Sequence, residues 1–81
     1  MQARRMRVLV TLKREGYQTV TVNLVVQPGE RASEIAREVV GKTGAELQER
    51  FGEAFARAAE HKMIAEQAWV WDREPLPPLI S

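Results

Sequence analysis

The chain lacks cysteine, has a single histidine and contains only 6% aromatic residues. Without cysteine it can form neither a disulfide nor a thiolate metal site, and no carboxylates stand at ligand spacing from His61. No uninterrupted apolar run approaches the roughly 20 residues that a membrane-spanning helix requires. No apolar run follows the N-terminal arginines, as a secretory signal would require. We therefore expect a cytoplasmic protein with no membrane association, metal or cofactor.

Catalytic motifs are also missing. The segment Gly41 to Thr43 resembles the end of a Walker loop, but Ala36 stands where that loop needs its first glycine. The hydroxyl groups of Ser33 and Thr43 are explained as helix caps, and His61 as a favourable charge near a helix C-terminus. We therefore predict that the protein is not an enzyme and has no small-molecule substrate.

Length and composition predict one globular domain spanning residues 1–81. With 44% hydrophobic and 28% charged residues, the chain can bury enough apolar surface to fold. A chain of this size buries roughly 60–65% of the surface of its unfolded form, which suits a thin two-layer core.

Two early runs alternate apolar and polar residues, which is the pattern of half-buried strands. They are Arg7 to Lys13 and Thr19 to Val26, and Gly16 between them can take the positive φ of a short hairpin loop. We predict an antiparallel hairpin with one buried and one solvated face. The predicted buried residues occupy alternate positions: Val8, Val10, Leu12, Val20, Val22 and Leu24. Leu9 and Val25 are apolar residues on the predicted solvated face.

Pro28 and Gly29 end the second strand, and helical periodicity follows. Ser33 is the predicted N-cap of the first helix. Its apolar stripe should lie on the valine face of the hairpin and comprises Ile35, Ala36, Val39 and Val40.

A second helix begins with the capping-box spacing of Thr43 and Glu46 and is predicted from Gly44 to His61 or Ile64. Its core residues recur at intervals of three and four: Leu47, Phe51, Ala54, Phe55 and Ala58. On the opposite face, Glu46 with Arg50 and Glu53 with Arg57 stand at i, i+4 and should form ion pairs.

Alternation returns from Ala65 to Arg73, which we interpret as a third strand. Strict alternation puts Trp69 and Trp71 on one face with Met63 and Ala65. Trp69 is therefore predicted to pack against the phenylalanines of the second helix, whereas Trp71 fits the core and a binding surface equally well. Residues 1–5 are predicted to fray, and residues 74–81, with three prolines, to form an extended tail.

These elements predict an α+β fold: a small two-layer domain with the order ββααβ. The part from Arg7 to Gly44 resembles the opening of the ubiquitin-like β-grasp fold, in which a helix lies across a hairpin. The second helix departs from that fold, and the chain has no C-terminal Gly-Gly for conjugation. If the third strand pairs beside the first, we expect a parallel arrangement; antiparallel pairing on the second strand is the alternative.

The favoured functional hypothesis is an accessory, adaptor or inhibitor module that binds a protein partner or a second copy of itself. An open three-stranded sheet has two edges, and edge strands and aromatic residues both recruit partners. The candidate protein-binding residues are Tyr17, Trp69, Trp71, Leu76 and Leu79.

Nucleic-acid binding is the alternative. Although the net charge is only +1, the chain up to residue 31 carries six basic and two acidic residues. The basic side chains that could contact phosphates are Arg4, Arg5, Arg7, Lys13 and Arg14. Basic residues also protect exposed strands from aggregation, and neither predicted helix is basic.

Overall fold

The computed structural model describes residues 6–71, so the predicted frayed segment 1–5 and the predicted tail 74–81 lie outside the described residues. The elements are β1 (Arg7–Lys13), β2 (Val20–Val25), α1 (Ala32–Val39), α2 (Gly44–Phe51), a 3₁₀ turn (Glu53–Phe55), α3 (Ala56–Glu60) and β3 (Ile64–Trp71). The α+β fold with the order ββααβ is confirmed, with the second predicted helix divided in two.

The hairpin has the predicted register, with Val10 opposite Val22 and regular antiparallel pairing from Arg7 to Leu12. On the helix-covered face, Val8, Val10 and Leu12 are fully buried and Leu24 is nearly so. Val20 and Val22 of β2 pack against this core at its margin. Because a shift of one residue would reverse both faces, burial of these alternate positions fixes the register.

Helix α1 begins two residues earlier than predicted, and the assignment of Ser33 as its N-cap is wrong. Arg31 occupies the N-cap position without a side-chain cap, and Ala32 is buried in the first turn. The buried stripe is Ala32, Ile35 and Val39, with Ala36 at its margin. Val40, predicted to belong to this stripe, has left the helix and is 47% exposed. Core contacts made by Ala32 therefore set the helix start.

The capping box of α2 is confirmed. The Glu46 amide donates to Thr43 Oγ1 at 3.2 Å, and the Thr43 amide donates to Glu46 Oε1 at 3.4 Å. The predicted Glu46–Arg50 ion pair is wrong, because Arg50 instead contacts two acidic residues from other elements, Glu30 at 3.4 Å and Glu38 at 3.3 Å.

The predicted continuous second helix is wrong because the chain turns at Gly52, which has a φ of 90°. After the turn, α3 returns so close to α2 that a Cβ atom on Gly44 would overlap the backbone carbonyl of Ala58. Phe55, inside the turn, is fully buried, whereas Ala54, predicted to be in the core, is exposed. Gly52 therefore allows the chain to reverse, and Gly44 allows α2 and α3 to approach closely, in a region whose apolar periodicity predicts one helix.

This reversal also decides the direction of β3. The sheet order is β2-β1-β3, so the predicted position of β3 beside β1 is confirmed, but the pairing is antiparallel and the predicted parallel direction is wrong. An uninterrupted helix would have left the chain at the opposite end of the sheet. The return through α3 starts β3 at Ile64, beside Lys13, so β3 runs opposite to β1.

A β-bulge interrupts β3. Thr11 pairs with Gln67 and Leu12 with Ala65, so the extra residue, Glu66, moves Ala65 to the opposite face from strict alternation. Met63 and Ala65 are consequently buried under the helices, while Trp69 lies opposite Leu9 on the other face. The prediction that Trp69 packs in the helix-covered core is therefore wrong.

Candidate functional site

The outer edge of β3 carries peptide groups that point away from the sheet. The Val26 amide donates to the Met6 carbonyl at 3.0 Å, so even-numbered residues at this end of β1 face β2 and odd-numbered residues face β3. Trp69, which pairs with Leu9, must then point its peptide groups inward. Ala68 and Val70, on either side of it, point theirs outward.

The first part of this edge is already occupied by the connection between α1 and α2. Gly41 donates to the Ala65 carbonyl at 2.8 Å, Ala65 donates to the Lys42 carbonyl at 2.9 Å, and Gly44 donates to the Met63 carbonyl at 2.8 Å. Thr43 and Ile64 form a β-bridge. The segment from Gly41 to Gly44 therefore pairs with β3 as a short fourth strand would, which the sequence patterns did not indicate.

The segment from Gly41 to Gly44 covers the outer edge of β3 only as far as the bulge. Within residues 6–71, the outward peptide groups of Ala68 and Val70 have no backbone partner. We call the outward backbone edge formed by Ala68 and Val70, within the stretch Gln67–Trp71, the free edge. This stretch contains no charged residue and no proline, the two features that most often protect an edge strand from pairing with another chain.

Both tryptophans lie on the free edge and project to the face of the sheet opposite the helices. Trp69 and Trp71 are partly exposed and pair with Leu9 and Arg7 of β1. Leu9 is fully buried although it lies outside the helix-covered core, and Asn23 flanks it on the β2 side. The apolar character of this face therefore continues from β1 outward to the free edge.

Two exposed apolar side chains lie where the short paired segment meets β3. Val40 directly precedes that segment and is 47% exposed, and Ile64, which bridges to it, is 49% exposed. A partner that pairs with the free edge would approach these side chains at one end and the tryptophans at the other.

Tyr17 is placed away from the tryptophans, at the hairpin loop. Its ring lies 5.0 Å from that of His61, at the end of α3, and the Arg14 guanidinium lies 5.2 Å from the Tyr17 ring centre. Arg14 also donates to the His61 carbonyl at 2.9 Å. The loop is thus braced against α3, about 20 Å along β1 from Trp71. Tyr17 and the tryptophans do not form one surface, and Leu76 and Leu79 lie outside the described residues.

The basic residues proposed to contact nucleic acid are not gathered in one patch. Lys13 forms an ion pair with Glu66 at 2.9 Å, and Arg14 is engaged at the hairpin loop. Arg7 lies at the opposite end of β1, beside Val25 and Trp71. Arg4 and Arg5 are outside the described residues.

The described part of the chain, residues 6–71, has no cluster of metal-ligating side chains and no membrane-spanning helix. No group of three or more histidine or acidic side chains is arranged to hold a metal ion. None of the helices there is long and apolar enough to cross a membrane. Comparison with protein-family models, curated proteins and solved structures finds no match to this chain.

Proposed function

We propose that this domain is a non-enzymatic protein-binding module that accepts a partner's strand along the free edge. The observation that carries the proposal is the outward pair of peptide groups at Ala68 and Val70, which begins where the pairing by Gly41 to Gly44 ends. Another chain can continue that pairing, because an exposed edge offers main-chain donors and acceptors in a fixed spacing.

The tryptophans supply what main-chain pairing lacks, namely selectivity. In strand addition, backbone hydrogen bonds give affinity and side chains at alternate positions discriminate between partners. Trp69 and Trp71 project from alternate positions of the free edge and are only partly buried. Tryptophan is enriched among the residues that dominate binding energy at protein interfaces, so these two are the expected anchors.

The outer edge of β2 is the competing site, since it is also uncharged and its outward peptide groups are those of Thr21, Asn23 and Val25. Its side chains on the face opposite the helices are small or polar, however, and offer less apolar area than two indole rings. This contrast favours β3 over β2.

A matched pair of proline variants tests the proposal. Ala68→Pro removes an outward amide from β3, and Thr21→Pro removes an outward amide from β2; neither amide donates within the sheet. Proline is tolerated at such positions because no ladder hydrogen bond is lost. Affinity purification from the native host, with nuclease treatment and quantitative mass spectrometry, should find partners that bind wild type and Thr21→Pro and are lost from Ala68→Pro.

Both variants must retain the circular dichroism spectrum of the wild type for the comparison to count. Equal binding by wild type and Ala68→Pro would overturn the proposal, and loss confined to Thr21→Pro would move the site to β2. The aromatic and C-terminal candidates are tested by Trp71→Ala combined with deletion of residues 75–81, which should abolish association and leave a folded monomer.

Nucleic-acid binding has less support, because Lys13 and Arg14 are engaged with other groups at one end of β1 and Arg7 lies at the other. If it occurs, affinity should fall with salt with a log-log slope of about 0.7–0.9 per phosphate contacted. The absence of a mobility shift with single- or double-stranded DNA or RNA at low salt would exclude it.

A further inference from the structure

The free edge is symmetric about its central residue. Ala68 and Val70, whose peptide groups point outward, stand one residue before and one residue after Trp69, whose peptide groups point inward. A strand that runs antiparallel to the free edge and presents the same spacing can therefore satisfy both outward groups at once. The free edge of a second copy meets this requirement.

We infer that the strand accepted at this edge is β3 of a second copy of the chain, paired antiparallel about a two-fold axis at Trp69. This inference rests on the proposed function, because it names the partner at the same edge. In this register, Ala68 lies opposite Val70 of the second copy and the two residues exchange their N–H and C=O hydrogen bonds in both directions. The two sheets then join into one continuous sheet.

The side chains fit this register on both faces. The two copies of Trp69 form a non-hydrogen-bonded pair, with Cβ atoms about 4.5–5.5 Å apart, so their rings can pack together on the face opposite the helices. On the helix side, Ala68 and Val70 already pack against the core of their own copy. Joining the edges would extend that core across the interface.

Charge also favours a second copy. Since the free edge is uncharged from Gln67 to Trp71, self-pairing brings no like charges together along it. A strongly acidic or basic foreign strand would find no countercharge there. The segment from Gly41 to Gly44 occupies the edge before the bulge and limits the contact to the free edge. The result is a closed two-fold contact.

Sedimentation measures the association directly. The wild-type chain, of 9.2 kDa, should sediment at twice that mass as concentration rises, and Thr21→Pro should do the same. Ala68→Pro should remain a monomer at every concentration at which the wild type is dimeric.

Cysteine cross-linking measures the register, and the absence of native cysteine makes every disulfide intermolecular and assignable. Trp69→Cys should form disulfide dimers under mild oxidation. Asn23→Cys, which flanks Leu9 on the other side, should not. An equimolar mixture of Gln67→Cys and Trp71→Cys, which keeps Trp69, should form mixed disulfides, because these positions lie opposite each other across the two-fold axis.

Each contrary result has one meaning. A wild-type chain that stays monomeric overturns the inference, and the proposed function then stands if Ala68→Pro still loses a partner of another sequence. A dimer that cross-links through Asn23→Cys, or is lost in Thr21→Pro, overturns the inference by placing self-association at β2. A dimer that survives Ala68→Pro with neither cross-link at β3 overturns the inference, and the proposed function falls with it if Ala68→Pro also keeps every partner of the wild type.

Discussion

The β1–β2 hairpin and the segment from α2 to β3 differ in backbone regularity. The hairpin pairs continuously from Arg7 to Leu12, and its loop turns at a single positive-φ glycine, Gly16. The later segment contains a reversal at Gly52, a left-handed residue at Lys62 and a bulge in β3. Regular periodicity thus specifies the first region, whereas a few special backbone positions specify the second.

This difference matters for function because the free edge belongs to the second region. The reversal in the helical segment returns the chain to the end of the sheet where β3 can start, and the bulge turns the tryptophans away from the helices. The surface proposed to bind a partner therefore depends on backbone features distant from the tryptophans themselves.

The largest effect is expected from Gly44→Ala. An added Cβ would come within 2.6 Å of the Ala59 nitrogen and overlap the backbone of Ala58, so α2 and α3 must separate. We expect a loss of about 2–3 kcal/mol in the free energy of unfolding, measured by urea denaturation. Ala45→Ser, at the exposed neighbouring position, should stay within about 0.5 kcal/mol of the wild type. Equal stabilities for the two variants would show that the helices do not approach this closely.

A matched pair of glycines compares the two regions directly. Gly52 and Gly16 have φ values of 90° and 89°, and in both cases no described atom lies within 4 Å of an added Cβ. Alanine at either position should lower the free energy of unfolding by about 1–2 kcal/mol, because a side chain disfavours a positive φ. Thermal and urea unfolding would measure the stability of both variants. A stabilised Gly52→Ala variant with increased helical circular dichroism would mean that the continuous helix predicted from sequence is accessible after all.

The smallest effect is expected at Lys62, the non-glycine residue with positive φ among residues 6–71, at 53°. Its amide donates to the Ala59 carbonyl and the next amide, of Met63, to the Ala58 carbonyl, which closes α3 with a Schellman motif. Glycine suits this position, so Lys62→Gly should raise the free energy of unfolding by about 0.5 kcal/mol. This value already allows for the larger conformational entropy of the unfolded variant. Lys62→Ala keeps a Cβ atom and should show no such increase in stability. If both variants are stabilised equally, the increase comes from the loss of the lysine charge.

The candidate site was predictable only in part. The sequence indicated that a three-stranded sheet would leave edges open and that the tryptophans near the C-terminus were candidate anchors. It did not indicate that Gly41 to Gly44 would cover the first part of β3, because that pairing joins residues about 20 positions apart. The sequence also suggested that Tyr17 and the tryptophans belong to one binding surface. In the fold they lie at opposite ends of β1.

By itself, the sequence determined the hairpin, its register and the capping box of α2, because alternation and capping are set by residues at most a few positions apart. Tertiary structure decided the path after α2. Apolar periodicity continues through Gly52 and does not distinguish one long helix from two packed helices, and alternation from Met63 to Trp71 does not reveal a bulge. Contacts between distant residues made those choices: Gly44 against Ala58, and Thr43 beside Ile64. They set the direction of β3, and the bulge within it sets the face on which the tryptophans lie.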